Sequence, residues 1–219
     1  RAVDQITTAE RRGPAIVIQI AVADVAALVP PGSALDRRAR QNARSLYTAA
    51  GTFPLLPERI AAGLGSFREG RDRLAVVVEL PAGEIRRAWV RNQARLGFRE
   101  VTAWLEGRGK LAKRPMKTSV LKKQLRLHEE AAERLRKRRC ANAEELVESL
   151  LAAANGAVAA LLSLPGVRAT APSRRYADLV TQRLLKAALA GRPASCSGEE
   201  LEELARREEA ATRVEAELA

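Results

Sequence analysis

Two short β-branched runs stand out in the first half of the chain. Ala15–Val22 (AIVIQIAV) and Leu74–Leu80 (LAVVVEL) are almost continuously apolar, a pattern suited to buried strands. Ile85–Leu96, around Trp89 and Val90, is more polar and predicts an exposed strand. Pro30-Pro31-Gly32-Ser33 predicts a turn, with Ser33 or Asp36 capping a helix through Asn42–Leu46. Phe53-Pro54-Leu55-Leu56-Pro57 is too rich in proline for a regular element, and Arg99–Glu106 predicts a short helix ended by Gly107. The second half has helical periodicity. Leu121, Leu125, Ala132 and Leu135 fall on one face, and Leu146, Leu150, Ala153, Ala157 and Leu161 on the next helix, which stops near Pro165-Gly166. Ala177–Leu189 predicts a third helix ending at Gly191, and Glu199–Leu218 a fourth, acidic one.

The 219 residues are enough for one large domain or two small ones. With 47% hydrophobic and 29% charged residues the composition is globular, and at 3% aromatic the core must rest on Ala, Leu and Val. A formal net charge of +12 points to a polyanionic partner, or equally to a well-solvated Arg-rich surface. That charge is unevenly spread. Lys110–Arg139 holds twelve Lys or Arg against Glu129, Glu130 and Glu133, whereas the last helix is rich in Glu. The basic block reads as an RNA-facing surface, or as one half of an attracting helix pair.

Cys140 and Cys196 form no CxxC pair and no disulfide framework, so a reducing compartment is expected. No run of 18 uncharged apolar residues and no signal-peptide order stands out, which predicts a soluble, cytoplasmic chain with no membrane partner. His128 is the sole histidine, so neither a His-based metal site nor a Ser–His–Asp triad can be assembled; on a basic helix it reads as a surface residue. Gly63-Leu64-Gly65 is too short for a nucleotide cradle, and no GxxxxGK[ST] is present. Cys140 lies beside Arg138 and Arg139, which would lower its thiol pKa, but no base accompanies it.

Two stretches carry a family likeness. Ile20–Pro57 (IAVADVAALVPPGSALDRRARQNARSLYTAAGTFPLLP) resembles a strand ending in I-A-D-V, then P-G-S-x-L-D, a helix, S-x-Y and P-M-L-P. It continues through Gly63–Phe67, Arg71-Asp72-Arg73 and Ala94-Arg95-Leu96. Thr170–Asp178 (TAPSRRYAD) resembles T-S-P-I-R-R-Y-x-D-L, while Val147-Glu148 and Ala154-Asn155 resemble the helix between. These are patterns of the ribonuclease II/ribonuclease R (RNB) family, and the collinear match covers roughly four-fifths of the chain. The resemblance implies an α/β fold for residues 1–219: one RNB catalytic domain, a mixed β-sheet with a helical second half. It also implies a monomeric, Mg²⁺-dependent 3′→5′ exoribonuclease that acts on single-stranded RNA and releases nucleoside monophosphates.

By the same resemblance, Arg174 matches the arginine on the scissile phosphate, with Arg175 and Tyr176 beside it and Asp178 orienting the element. Arginines at a helix start oppose the macrodipole, so a bound anion is expected to answer them. Tyr47 matches a tyrosine that stacks on bases, and Glu148 an acid that contacts the terminal nucleotides. Phe98 stands where the family often has a tyrosine, and without a hydroxyl it only packs or stacks. The family's metal ligands are an Asp followed shortly by D-x-D-D-A. Ala2-Val3-Asp4 resembles the start of that signature, making Asp4 its one positional match, but the chain then runs Gln5–Glu10 without the clustered aspartates. One carboxylate cannot hold a catalytic Mg²⁺ pair, and the plainer reading of Asp4 is an exposed terminal acid. Against the family pattern, segments are also missing near 10, 139 and 168, as are the flanking cold-shock-like and S1 domains. Either the chain is a degenerate homologue, or its segments derive from a longer enzyme. The abrupt joins favour the latter.

Overall fold

The computed structural model describes residues 3–194 and 196–217, so Ala2 of the Ala2-Val3-Asp4 match and Leu218 of the last predicted helix lie outside the described residues. Four strands form the main sheet: β1 (Gln5–Arg12), β2 (Ala15–Ala23), β5 (Asp72–Leu80) and β6 (Glu84–Arg91). Their order is β1-β2-β5-β6, and every pairing is antiparallel. The central pair is the two apolar runs, because only strands covered on both faces tolerate near-continuous hydrophobicity. Ile18, Ile20, Val76 and Val78 face one core, completed by Leu127, Ala131 and Ala132 of α3 (Thr118–Arg136) and Leu146, Leu150, Ala154 and Val158 of α4 (Ala143–Leu162). Ala21, Ala23, Ala75 and Val77 face the other, made of Val25, Val29, Leu55, Leu56 and Phe67 with Leu179 and Leu184 of α5 (Tyr176–Leu189) and Leu201 and Leu204 of α6 (Gly198–Glu217). The α/β class and the helical second half are therefore as expected, but the main sheet is antiparallel throughout rather than mixed.

Several local expectations change. β1 was not anticipated, since QITTAERR buries only Ala9; it is an edge strand that runs through residue 10 in unbroken register with β2. Gln124 of α3 closes its open edge, donating to the Ala9 carbonyl and accepting from the Ala9 amide, both at 2.8 Å. The first helix, α1 (Ala34–Asn42), starts at its Ser33 cap but stops short of Leu46. Ala43 takes a positive φ, its carbonyl accepts from the Tyr176 amide, and Ser45 N–H donates to the Arg174 carbonyl (2.8 Å each). The backbone is thereby committed to the 174–176 segment and enters the hairpin of β3 (Leu46–Thr48) and β4 (Gly51–Phe53). Leu55 and Leu56, after the hairpin, are core residues.

In the helices, α2 (Phe98–Leu105) ends before Gly107 as expected. On α3, Leu135 is exposed in the last turn. On α4 the buried stripe is Leu146, Leu150, Ala154 and Val158, one residue round from the predicted Ala153, Ala157 and Leu161. By length and composition α4 is apolar enough to cross a membrane, contrary to the sequence expectation, but its stripe packs on α3 and the sheet. The acidic α6 packs on α5 and β3 rather than on the basic α3. It answers arginines there, through Glu208 to Arg168 (2.7 Å) and Glu215 to Arg44 (3.0 Å).

His128 is also buried, not on the surface. Its Nδ1–H donates to the Gln124 carbonyl at 2.7 Å, and Nε2 has no partner among the described residues. Burial holds its pKa below the ordinary 6.5, so the folded protein keeps it neutral where the unfolded chain would protonate it. The stability this gives is present above pH 6.5 and is lost as pH falls below that value. His128→Leu should flatten the decline of the urea midpoint between pH 6.5 and mildly acid conditions; an unchanged decline would contradict the assignment.

Candidate nucleic-acid interface

Asp4 enters β1 with its carbonyl accepting from the Ala23 amide at 2.9 Å, which fixes the strand start on β2. Its carboxylate, 2% exposed, points toward residues 170–175, the segment entering α5. One oxygen accepts from the Ser173 hydroxyl, and the other from Arg174 Nε at 2.6 Å. The next residue, Gln5, donates its side-chain amide to the Thr170 carbonyl. The Ala171 carbonyl accepts from the amides of Arg174 and Arg175, 3.0 Å each, in a turn that sends the Ser173 side chain inward and Arg174 outward.

Asp178, in the first turn of α5, reaches back to this segment. Its Oδ2 accepts from the Ala171 amide (2.9 Å) and from Arg175 Nη2 (2.7 Å). The anions that answer the two arginines at the helix start are thus Asp4 and Asp178, side chains of the protein itself. Burial pushes the Asp4 carboxyl upward, opposed by the Arg174 charge and the Ser173 hydroxyl, while the nearby Asp178 adds to the rise. Arg174 remains 44% exposed. Its Nε is held, and among the described residues no acceptor meets its two terminal nitrogens. A guanidinium tethered on one side with a free fork on the other is suited to a phosphate.

The same geometry corrects two metal expectations. Asp4 is not an exposed terminal acid but a fully enclosed one, and both of its oxygens are engaged. Among the described residues no group of three His, Cys, Asp or Glu side chains could hold a metal ion. The residues present therefore do not fit a Mg²⁺ pair, which needs several converging oxygen ligands.

The other predicted residues divide. Tyr47 sits on β3, two residues beyond the Ser45 amide that binds the Arg174 carbonyl, and is 41% exposed. Its amide donates to Glu215 at 3.1 Å. Tyr176 is not available to RNA: it is 4% exposed, and its hydroxyl donates to Asp36 (2.9 Å), which Arg183 also holds (2.7 Å). Arg175 is turned inward onto Asp178 and Thr170, so it is a structural cation rather than an RNA contact. Glu148 is exposed on α4 and Phe98 at the start of α2, and no contact among the described residues joins either to Asp4 or Arg174. Burial raises the Cys140 thiol pKa, with the charge of Arg136 opposing it, so the lowering expected from Arg138 and Arg139 is not found. Sequence reasoning missed Ser173 and Thr170, although both stand in the TAPSRRYAD motif. It also missed Asp24, buried with Lys186 (2.8 Å) and Arg87 (3.1 Å) beside it; the acid in A-D-V was its only signal.

A family model described as the RNB domain matches residues 1–144, about two thirds of the chain. The chain belongs to the RNB family. Exoribonuclease 2 of Edwardsiella piscicida is 36% identical over 115 residues, covering 48% of this chain and 18% of that protein. The chain thus spans about a fifth of the length of that relative. RNase R of Mycoplasma genitalium superposes on 98% of the chain and 52% of its own, with a TM-score of 0.76 and 17% identity. Yeast Ssd1, described as a pseudonuclease, superposes on 91% of the chain and 39% of its own, with a TM-score of 0.69 and 14% identity. At these identities the structural matches show a shared fold alone, one found both in an RNase R and in a protein described as a pseudonuclease.

Removing Arg174 should expose the strain on Asp4. In Arg174→Ala the carboxyl loses the charge opposing its burial, so its pKa climbs further above the ordinary 3.8. A raised folded-state value stabilises at low pH and loses that contribution as pH rises through it. The urea midpoint of Arg174→Ala should therefore fall, relative to the parent, from mildly acid to neutral pH, and adding Asp4→Asn should restore it. A pH-independent difference would contradict the pairing.

Proposed function

We propose that this RNB-family chain binds single-stranded RNA through phosphate contacts at Arg174 and base stacking at Tyr47, without hydrolysing it unaided. The observation that carries the reading is the Arg174 guanidinium, anchored through Nε by a buried carboxylate, with no partner for its terminal nitrogens among the described residues. Asp4 acts as a positioning residue: it orients Arg174, and the exposed fork neutralises a phosphate oxygen pair. The net charge of +12 supplies the long-range attraction. Supporting the choice of ligand, the Mycoplasma genitalium RNase R was solved in complex with ribose-methylated single-stranded RNA and with double-stranded RNA.

A second reading concerns a longer protein. Asp4 and Arg174, both matched to the family's site by resemblance, lie within 2.6 Å of each other. A parent chain that supplied the remaining aspartates in the segment near 10 would have this arginine beside its metal-binding acids. In such a protein Mg²⁺ would activate water for 3′→5′ release of nucleoside monophosphates. The free thiols of Cys140 and Cys196 fit a reducing compartment.

Fluorescence anisotropy with labelled single-stranded RNA in EDTA tests the binding reading. Log K should fall with log salt at roughly −0.7 per phosphate contacted. Arg174→Ala should weaken binding, and Arg174→Lys should restore it only in part, because an ammonium lacks the planar fork that meets two phosphate oxygens at once. A flat salt response would overturn the proposal.

Tyr47→Ala should lower affinity by about 1–3 kcal/mol while leaving the salt slope unchanged, since stacking involves no counterion release. A Tyr47→Ala chain that binds as the parent does would return this side chain to simple packing against β4.

A further inference from the structure

The basic block of α3 was not absorbed by the site around Arg174. Its outer face carries Ser119, Lys122, Lys123, Arg126 and Glu130 at intervals that place them on one stripe, opposite the buried Leu121, Leu125 and Ala132. Arg11, near the far end of β1, faces that stripe, and the two enclose an open groove of about 470 Å³. Glu130 is already answered on both oxygens, by Arg11 (2.5 Å) and Arg134 (2.7 Å). Lys122, Lys123 and Arg126 are exposed and have no carboxylate within ion-pair distance among the described residues. Three like charges on one helical face repel, and Lys122 and Arg126 stand at the unfavourable i,i+4 spacing. No acid in the first turn of α3 relieves them. A bound anion would relieve that repulsion.

We propose that this groove is a second binding site for the phosphodiester backbone of single-stranded RNA, separate from Arg174. The inference rests on the RNA-binding reading above. Arg11 and Asp4 are seven residues apart along one extended strand, roughly 24 Å at about 3.4 Å per residue. The groove and Arg174 therefore sit toward opposite ends of β1, and one strand of RNA long enough to span them would be held at two points. The groove offers ammonium, guanidinium and hydroxyl donors with no aromatic side chain, so it grips backbone without reading bases.

The test compares two charge-matched triple variants of the full chain by RNA anisotropy over a salt series. Lys122→Gln/Lys123→Gln/Arg126→Gln removes the groove cations. Arg38→Gln/Arg59→Gln/Arg71→Gln removes the same charge from exposed positions elsewhere. The groove triple should reduce the magnitude of the log K–log salt slope by about 2, at roughly 0.7 per contact, and the control by much less. Its loss should add to that of Arg174→Ala, as expected for distant sites. If the groove triple melts at a lower temperature, the Lys122→Gln/Lys123→Gln double should still reduce the slope by about 1.4. Equal effects of the two triples would reduce the groove to general charge and overturn the inference while leaving the Arg174 reading intact. Absence of salt-dependent RNA binding by the parent would overturn both. Heparin serves as the competing polyanion: a groove triple that loses heparin but keeps RNA would overturn the assignment to RNA.

Discussion

Asp4 is buried to 2% exposure, and a carboxylate so enclosed must be met by charge and hydrogen bonds or become neutral. Ser173 and Arg174 meet it from the other end of the sequence, about 170 positions away. Around that contact the backbone is tied in three places. The start of β1 bonds to β2, the 170–175 turn closes on Ala171, and Ser45 and Ala43 bond to Arg174 and Tyr176. The position of Tyr47 and the entry of α5 both follow from these ties. Segments so distant in sequence are brought together by the core that β2 and β5 share with α5, and this contact fixes how they meet. The charge-assisted pairing of carboxylate and guanidinium, shielded on the acid's side, is one of the stronger polar contacts.

The same contact decides what the acid can do. The two oxygens of this carboxylate are committed to a hydroxyl and a guanidinium, and among the described residues no group of three His, Cys, Asp or Glu side chains could hold a metal ion with it. The arginine gains what the acid gives up. Held at Nε, it loses less rotational freedom on gripping a phosphate than a free side chain would. The RNB fold itself does not choose between grip and cleavage, since it is shared with RNase R and with a pseudonuclease. The choice lies in these few side chains.

Much of this was legible in the sequence where periodicity is strong. AIVIQIAV and LAVVVEL announced the central strands, and helices α4, α5 and α6 fell close to their predicted limits. The polar β1 was hidden because an edge strand buries little and leaves no alternating signal; its partner, Gln124, lies 115 positions away. α1 looked longer than it is because its end is set by tertiary bonds from Ala43 and Ser45, not by a local stop signal. At the site, the motif TAPSRRYAD marked the segment, but not which side chains face inward. Adjacent residues diverge there, with Arg174 half exposed and Tyr176 closed over Asp36. That division depends on the turn at Ala171, which one-dimensional pattern does not encode.

The central claim is that Asp4 serves Arg174 and not a metal ion. Incubating the purified 219-residue chain with single-stranded RNA and Mg²⁺, and separating the products by chromatography, tests it most directly. The account predicts intact RNA, with no release of nucleoside monophosphates above that of an Asp4→Asn control. Steady Mg²⁺-dependent release that Asp4→Asn abolishes and Arg174→Ala retains would show that the carboxylate is a metal ligand, and would contradict it.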